Sequence, residues 1–298
     1  MPRAALLSIH ARVAGTTASA WEDPSLVQLW GPRFSVYVVA ERDLAVFSLG
    51  TLPEDSKRRK KAEDMAARVA AFLDGRRMNY VEVGAGLGLS NANEVRRAKG
   101  TGTVLIRWEG ARRPKIWIVP APDVDPFAAR LELARRYLHI YGPATGEAFG
   151  DWACTGAGSG TVAFEALGGE LAAVETPIGE GWILERDEQL LRAGPNSDQP
   201  APVRLLPSGD AYFLLWGRDR ELLVPDRERR SELWTSRVWP GALLVGGEIV
   251  GTWRRASAVV IFQTWRQLSP AECSAVVAEA ESLPLPGVAG QMSVRWVD

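Results

Sequence analysis

Residues 126–181 alternate apolar periodicity with chain breakers in an order that few folds allow. Phe127, Leu131, Ala134, Leu138 and Tyr141 recur three or four apart and predict a helix with one apolar stripe. Its other side carries Arg130, Arg135 and Arg136. Gly142-Pro143 ends it, since proline cannot continue a helix. Thr145 can cap a short helix through Phe149 and Trp152, with Glu147 in its first turn. Gly156, Gly158 and Gly160 predict a turn. Ser159 or Thr161 then starts a third helix over Val162, Phe164 and Leu167, stopped by Gly168-Gly169. The runs 171–176 and 182–186 read as strands joined by a turn over 177–181. Three helices and a hairpin in that order is the plan of a winged helix, which offers its third helix to the DNA major groove.

The same plan is expected twice upstream. Residues 53–122 give a long helix over 56–73 opened by Ser56, a short one over 79–87 and a third capped by Ser90. Strands follow over 103–108 and 115–119, around a turn at 109–114. Residues 1–52 give a partial copy. It has a possible helix over 2–13, a helix over 23–30 capped by Asp23, and a strand pair over 34–40 and 44–49. Residues 123–192 are the third block, and 192–202 read as a linker. Beyond it, short strands are expected over 203–207, 212–216, 222–225, 241–245, 248–253 and 259–265, with Gly246-Gly247 as a hairpin turn. Ser269 and Glu272 form a capping box for a last helix to about residue 283, and a strand over 292–297 can pair back. The fold class expected is α+β: tandem winged-helix modules followed by a small β-barrel over 203–298.

Net charge is −1, so any nucleic-acid surface has to be a local patch. Between Gly84 and Ile118 the basic residues are Arg96, Arg97, Lys99, Arg107, Arg112, Arg113 and Lys115, opposed only by Glu94 and Glu109. A basic third helix beside a basic hairpin tip is where phosphates would sit. Two distant cysteines and two histidines argue against a zinc ribbon, a disulfide framework or a histidine-built metal site. A reducing cytoplasm is expected, with no metal and no cofactor. No apolar run reaches about 18 residues, so no membrane span is expected.

Four stretches carry a likeness. They are 29–34 (LWGPRF), 134–153 (ARRYLHIYGPATGEAFGDWA), 203–215 (VRLLPSGDAYFLL) and 244–255 (LVGGEIVGTWRR). In that order they resemble the AlkZ/YcaQ family of tandem winged-helix DNA glycosylases. The resemblance implies winged helices and a C-terminal β-barrel around a concave duplex-DNA channel. It also implies monofunctional excision of alkylated or crosslinked bases without a lysine Schiff base. Members begin with a further helix ahead of the segment matching 4–13, so a truncated or misassigned start is expected here. Their catalytic motif, Gln, apolar, then Gln or Asp, falls on His10-Ala11-Arg12.

His10, if neutral, can hold or deprotonate water. Arg12 is a fixed cation, repulsive to a nascent oxocarbenium. It can instead bind a flanking phosphate or fill the space of a flipped nucleotide. The catalytic candidates are therefore His10 and Arg12. Arg33 is read as a phosphate contact or a structural pair. Arg135 and Arg136 contact DNA or pair with Glu132, Glu147 or Asp151. Trp253 with Arg254 and Arg255 can clamp DNA, against barrel packing for the indole. Asp210 reads as a turn former and Gly84, Gly86 and Gly88 as a turn between helices. The partner expected is double-stranded DNA, bound by a monomer. The alternative to an enzyme is a non-catalytic lesion reader or regulator.

Overall fold

The structure, a computed structural model, describes residues 2–108, 113–194, 201–215, 217–236, 238–285 and 292–297. Two compact units divide the chain, one of Met1–Pro2 and Glu22–Glu188, the other of Arg3–Trp21 and Gln189–Asp298. Helix α1 (Pro2–His10) opens the chain.

The larger unit starts with β1 (Leu26–Trp30), antiparallel to β2 (Val36–Ala40), and continues into α2 (Leu44–Leu49). This reverses both expectations here, a helix over 23–30 and a strand over 44–49. Apolar runs this short fit either period. Gly31-Pro32 folds the chain back, and the ladder buries Leu29 and Trp30. Gly31 is required there, since a Cβ would lie 2.9 Å from the Tyr37 ring.

Helix α3 (Ser56–Leu73) is capped by Asp55, not Ser56, and buries Ala62, Met65, Ala66, Val69 and Leu73. Strand β3 (Met78–Asn79) leads into α4 (Tyr80–Gly86), capped by Asn79. A 3-10 helix (Ala92–Thr101) follows, capped by Asn91 rather than Ser90, whose hydroxyl donates to Glu94. Strands β4 (Val104–Arg107) and β5 (Lys115–Ile118) complete an antiparallel sheet in the order β3-β5-β4.

Helix α5 (Pro126–Tyr141) is capped by Asp125, α6 (Gly146–Ala153) by Thr145, and α7 (Ala157–Leu167) begins at Gly156. The buried face of α5 is Ala129, Arg130, Leu133, Ala134, Tyr137 and Leu138. The expected stripe was rotated by part of a turn, because Phe127 is exposed and Arg130 is 2% exposed. Gly158 and Gly160 lie inside α7 rather than in a turn. A Cβ on Gly160 would stand 1.9 Å from the Gly146 carbonyl, so the glycine lets α6 and α7 cross closely. The hairpin is β6 (Leu171–Thr176) with β7 (Gly179–Leu184), its second strand starting earlier than expected. Helix α8 (Glu188–Ala193) follows.

In the second unit β8 (Arg204–Leu206) precedes α9 (Arg220–Leu223) and α10 (Arg227–Leu233). The strand expected over 212–216 is instead a 3-10 turn, Ala211–Phe213, capped by Asp210, and Trp216 lies outside the described residues. The strand expected over 222–225 overlaps α9. Helix α10 was not expected: only Leu233 of its RERRSEL sequence is buried, which leaves no apolar period to read. Strands β9 (Gly241–Val245), β10 (Glu248–Ala256) and β11 (Val259–Thr264), helix α11 (Pro270–Glu281) with its Ser269–Glu272 capping box, and β12 (Ser293–Val297) follow. The sheet order is β12-β11-β10-β9-β8, with β12 parallel to β11. Among the described residues β8 and β12 stand at the two ends of that order, with no pairing between them to close the small barrel or curved sheet expected. Its core joins Leu205, Leu243, Val260 and Phe262 to Val276 and Ala280 of α11 and Leu7 of α1.

Phe149 is fully buried, its ring 5.3 Å from Tyr137 and 5.9 Å from Phe164. Phe149→Ala should lower unfolding free energy by about 3–5 kcal/mol. Val162→Ala, on the exposed side of α7, should change it by less than ~0.5 kcal/mol, both read by urea denaturation.

Candidate functional site

At the end of α1, His10 and Arg12 enter two hydrogen-bond networks of the second unit. The His10 Nε2 lies 3.1 Å from the Ser282 hydroxyl and 3.8 Å from Glu279 Oε1. Ser282 gives its own proton to the Glu279 carbonyl at 2.8 Å, so in the neutral imidazole Nε2–H donates to Ser282. The Nδ1 lone pair is then left buried and without a partner among the described residues. Glu279 also lies 3.6 Å from the Arg204 guanidinium, which donates to the Ala11 carbonyl.

The Arg12 guanidinium forks onto the buried carboxylate of Asp210, at 2.7 and 3.0 Å. Ser8 donates to the same carboxylate at 2.5 Å, and the Tyr212 backbone N–H at 2.9 Å. Asp210 is therefore a turn former and also the anion that holds Arg12.

The residues expected on DNA sort into several groups. Lys99 is 6% exposed and donates to the Gly31 and Ala153 carbonyls at 3.5 and 3.2 Å, with its Nζ 4.5 Å from the centre of the Phe34 ring. This corrects the phosphate-contact reading of Lys99, because its donors are spent on the interior. Arg96 is half-buried, and its Nε is sealed from solvent without a partner among the described residues. Arg97 is exposed and 3.0 Å from Glu94. Arg96, Arg97 and Lys99 therefore do not share one cationic face. Arg135 is held by both oxygens of Glu170 at 2.7 Å, and Arg136 by Asp43 and Glu132; of the pairing partners expected, only Glu132 is among them. Those carboxylates hold both guanidinium ions above the usual arginine range, the bonds to Glu170 and Asp43 being the main causes.

Arg107 and Lys115 are direct cross-strand partners on the β4–β5 hairpin, and Arg113 is exposed. Arg112 lies outside the described residues. Arg254 is exposed and reaches the Val238 carbonyl at 3.4 Å, while Arg255 donates to the Ser257 carbonyl. Trp253 is buried and donates to the Leu206 carbonyl at 2.9 Å, a packing role.

Arg33 and Phe34 both have left-handed backbones, φ 57° and 53°, in the loop after β1. Two such residues in a row cost roughly 1–3 kcal/mol each. Burial pushes the Arg33 guanidinium below the usual arginine range, opposed by nearby Tyr37, Cys154 and Tyr141. The same loop turns Phe34 outward, 41% exposed, onto a cleft of about 600 Å³ inside the larger unit. Arg58, Lys61, Arg97, Asp151 and Cys154 also line it, with Lys99 at its base. Phe34, Arg58 and Lys61 were missed by sequence reasoning. The available signal was the run of cations at 57–61, in the first turns of α3 where the helix dipole disfavours them.

Helices followed by hairpins, then an open sheet, with cations concentrated at α3 and at β4–β5, define an α+β protein with a locally basic surface despite near-zero net charge. The chain belongs to the AlkZ-like DNA glycosylase family, whose description, DNA glycosylase AlkZ-like, matches residues 1–284. An interstrand DNA cross-link repair glycosylase of Streptomyces sahachiroi is 25% identical over 312 residues, spanning 92% of this chain and 82% of that protein. The solved structure of Streptomyces sahachiroi DNA glycosylase AlkZ shares the fold at a TM-score of 0.76 and 20% identity, covering 98% of this chain and 88% of that one. No helix among the described residues is long and apolar enough to cross a membrane.

Burial pushes the Lys99 ammonium down to about 8 from its ordinary 10.5. Between those values the folded protein binds fewer protons than the unfolded chain, so this group makes stability rise with pH across that window. Chemical denaturation at a series of pH values should show the rise in the wild type and a smaller one in Lys99→Met.

Proposed function

We propose that this protein is a monofunctional DNA glycosylase that releases alkylated or crosslinked bases from duplex DNA, with the end of α1 as its catalytic element. The single observation that carries this reading is the His10 Nδ1 lone pair, buried, unpartnered among the described residues, and fixed in its tautomer by Ser282. The nitrogen is sealed from solvent here, so in this reading duplex binding opens it to the attacking water, whose proton it then takes. The water oxygen bonds to the sugar C1′, the N-glycosyl bond breaks, its electron pair leaves with the base, and the water proton passes to Nδ1. Asp210 closes the Arg12 charge into a neutral pair, which removes the repulsion a free guanidinium would exert on positive charge growing at the sugar. The family match over residues 1–284 supports the reaction class, and the name of the Streptomyces relative supports crosslinked DNA as a substrate.

The finer architecture belongs to the same reading. Helices α5, α6 and α7 with the β6–β7 hairpin are read as one winged helix over 123–192, residues 53–122 as another, and residues 1–52 as a partial first. The open sheet over 203–298 is the counterpart of a small barrel. Arg107, Arg113 and Lys115 are read as backbone contacts, with Arg107 and Lys115 opposite each other on the β4–β5 ladder. Arg33, Arg96, Arg97, Arg254 and Arg255 remain candidates of the same kind, in a cytoplasmic monomer.

One observation favours a lesion reader without excision: the Arg12 fork is committed to Asp210, where related motifs offer an oxygen. Duplex carrying one N7-alkylguanine, incubated with protein and then treated with alkali, separates the two. Strand cleavage should occur with the wild type and fall by about 10²–10⁴-fold in His10→Ala with binding retained. Salt-sensitive binding without abasic sites in the wild type would establish the reader instead.

A further inference from the structure

The cleft beneath Phe34 has features that the fold itself does not require. Arg58 and Lys61 stand one turn apart on α3, exposed, and neither side chain has a partner among the described residues. Like charges at that spacing repel, and Arg58 sits in the first turn of α3, where the backbone dipole disfavours a cation. Arg97 and buried Lys99 add positive charge to the same walls, opposed by Asp151. Stability gains nothing from placing Arg58 and Lys61 side by side, whereas an anion in the cleft would gain from both.

The aromatic wall is equally specific. Phe34 stays 41% exposed in a loop where two consecutive residues accept left-handed backbones, and the Lys99 contact is the packing that holds its ring. Lys99 Nζ covers the ring at 4.5 Å, while the cleft opens onto the side chain. About 600 Å³ lies within the roughly 300–1,000 Å³ typical of small-ligand sites, which suits one nucleotide. A flat apolar ring beside cations is the pairing that recognises a base with its phosphates.

We propose that this cleft is a nucleotide subsite, in which one unstacked base of the DNA lies on Phe34 and its flanking phosphates pair with Arg58 and Lys61. The inference rests on the DNA-glycosylase reading above and adds to it a strand contact built entirely within the larger unit.

The test uses the full-length protein and a short fluorescent duplex holding one 2-aminopurine opposite an abasic analogue, so that the base is already unstacked. Stacking on Phe34 should quench the 2-aminopurine. Phe34→Leu should abolish the quenching and weaken binding by roughly 5- to 100-fold, Phe34→Tyr should keep both, and the salt dependence should not change. Arg58→Gln with Lys61→Gln should lower the slope of log K against log salt by about 1.8, from roughly 0.9 per phosphate contact. Thermal melting of each variant excludes misfolding, since the three side chains are exposed. Wild-type slope in the double variant together with wild-type quenching in Phe34→Leu would overturn the proposal. A lowered slope with intact quenching overturns it too, leaving a backbone contact with no base in the cleft. Excision of N7-alkylguanine by the wild type is measured alongside. If excision occurs while the variants behave as wild type, only the subsite fails; if the wild type does not bind the duplex, both readings fail.

Discussion

Two buried cations organise the larger unit by neutralising main-chain carbonyls far apart in sequence. Lys99 takes the Ala153 carbonyl at the last residue of α6, one of the acceptors that a helix cannot satisfy internally, and the Gly31 carbonyl in the strained loop. A positive charge at a helix C-terminus also gains from the dipole. Arg130 on α5 does the same for the segment after α2, reaching the Gly50 and Leu52 carbonyls and the Glu54 carboxylate. Burial depresses both ions, and Glu54 partly offsets this for Arg130. Desolvating such ions is expensive, so breaking these contacts by removing their partners would leave uncompensated charge. The position of Phe34 follows from this: the loop carrying it is pinned by Lys99 at Gly31 and covered by the same ammonium at the ring.

That accounting also explains how a chain of net charge −1 can hold a basic patch. Arginines that look available in the sequence are paired inside the fold: Arg12 with Asp210, Arg135 with Glu170, Arg136 with Asp43 and Glu132, Arg266 with Glu272. Among the described residues the start of α3 keeps Lys57, Arg58, Lys60 and Lys61 exposed to solvent. Net charge is therefore a poor guide to this surface, because it sums paired and unpaired groups alike.

The same physics separates what the sequence revealed from what it hid. Helices α3, α5 and α6, the β9–β10 hairpin with its Gly246-Gly247 turn and the capping box of α11 were legible because local chemistry decides them. Residues 26–30 and 44–49 were misread because five or six apolar residues do not distinguish a period of two from one of 3.6. The α5 stripe was misaligned for another reason. An arginine was assigned to solvent, and the carbonyls that bury Arg130 lie some eighty residues earlier, beyond any local rule. Lys99 was misassigned in the same way. His10 and Arg12 were legible only through the family motif, and their partners Ser282, Glu279 and Asp210 come from segments about 200 or more residues away.

Those partners determine what the end of α1 can do. Each charge there has a counter-charge: Arg12 with Asp210, Arg204 with Glu279. A site built from closed pairs has little net field, and so imposes no penalty on a base that already carries an alkyl cation. Such a base needs little acid catalysis to depart, since its ring nitrogen is already positive. In the proposed reaction the demand then falls on the water, which the oriented His10 lone pair would meet. A motif with an imidazole in place of an amide oxygen is thus consistent with the easier end of glycosidic chemistry, where the leaving group does most of the work and the protein holds the nucleophile.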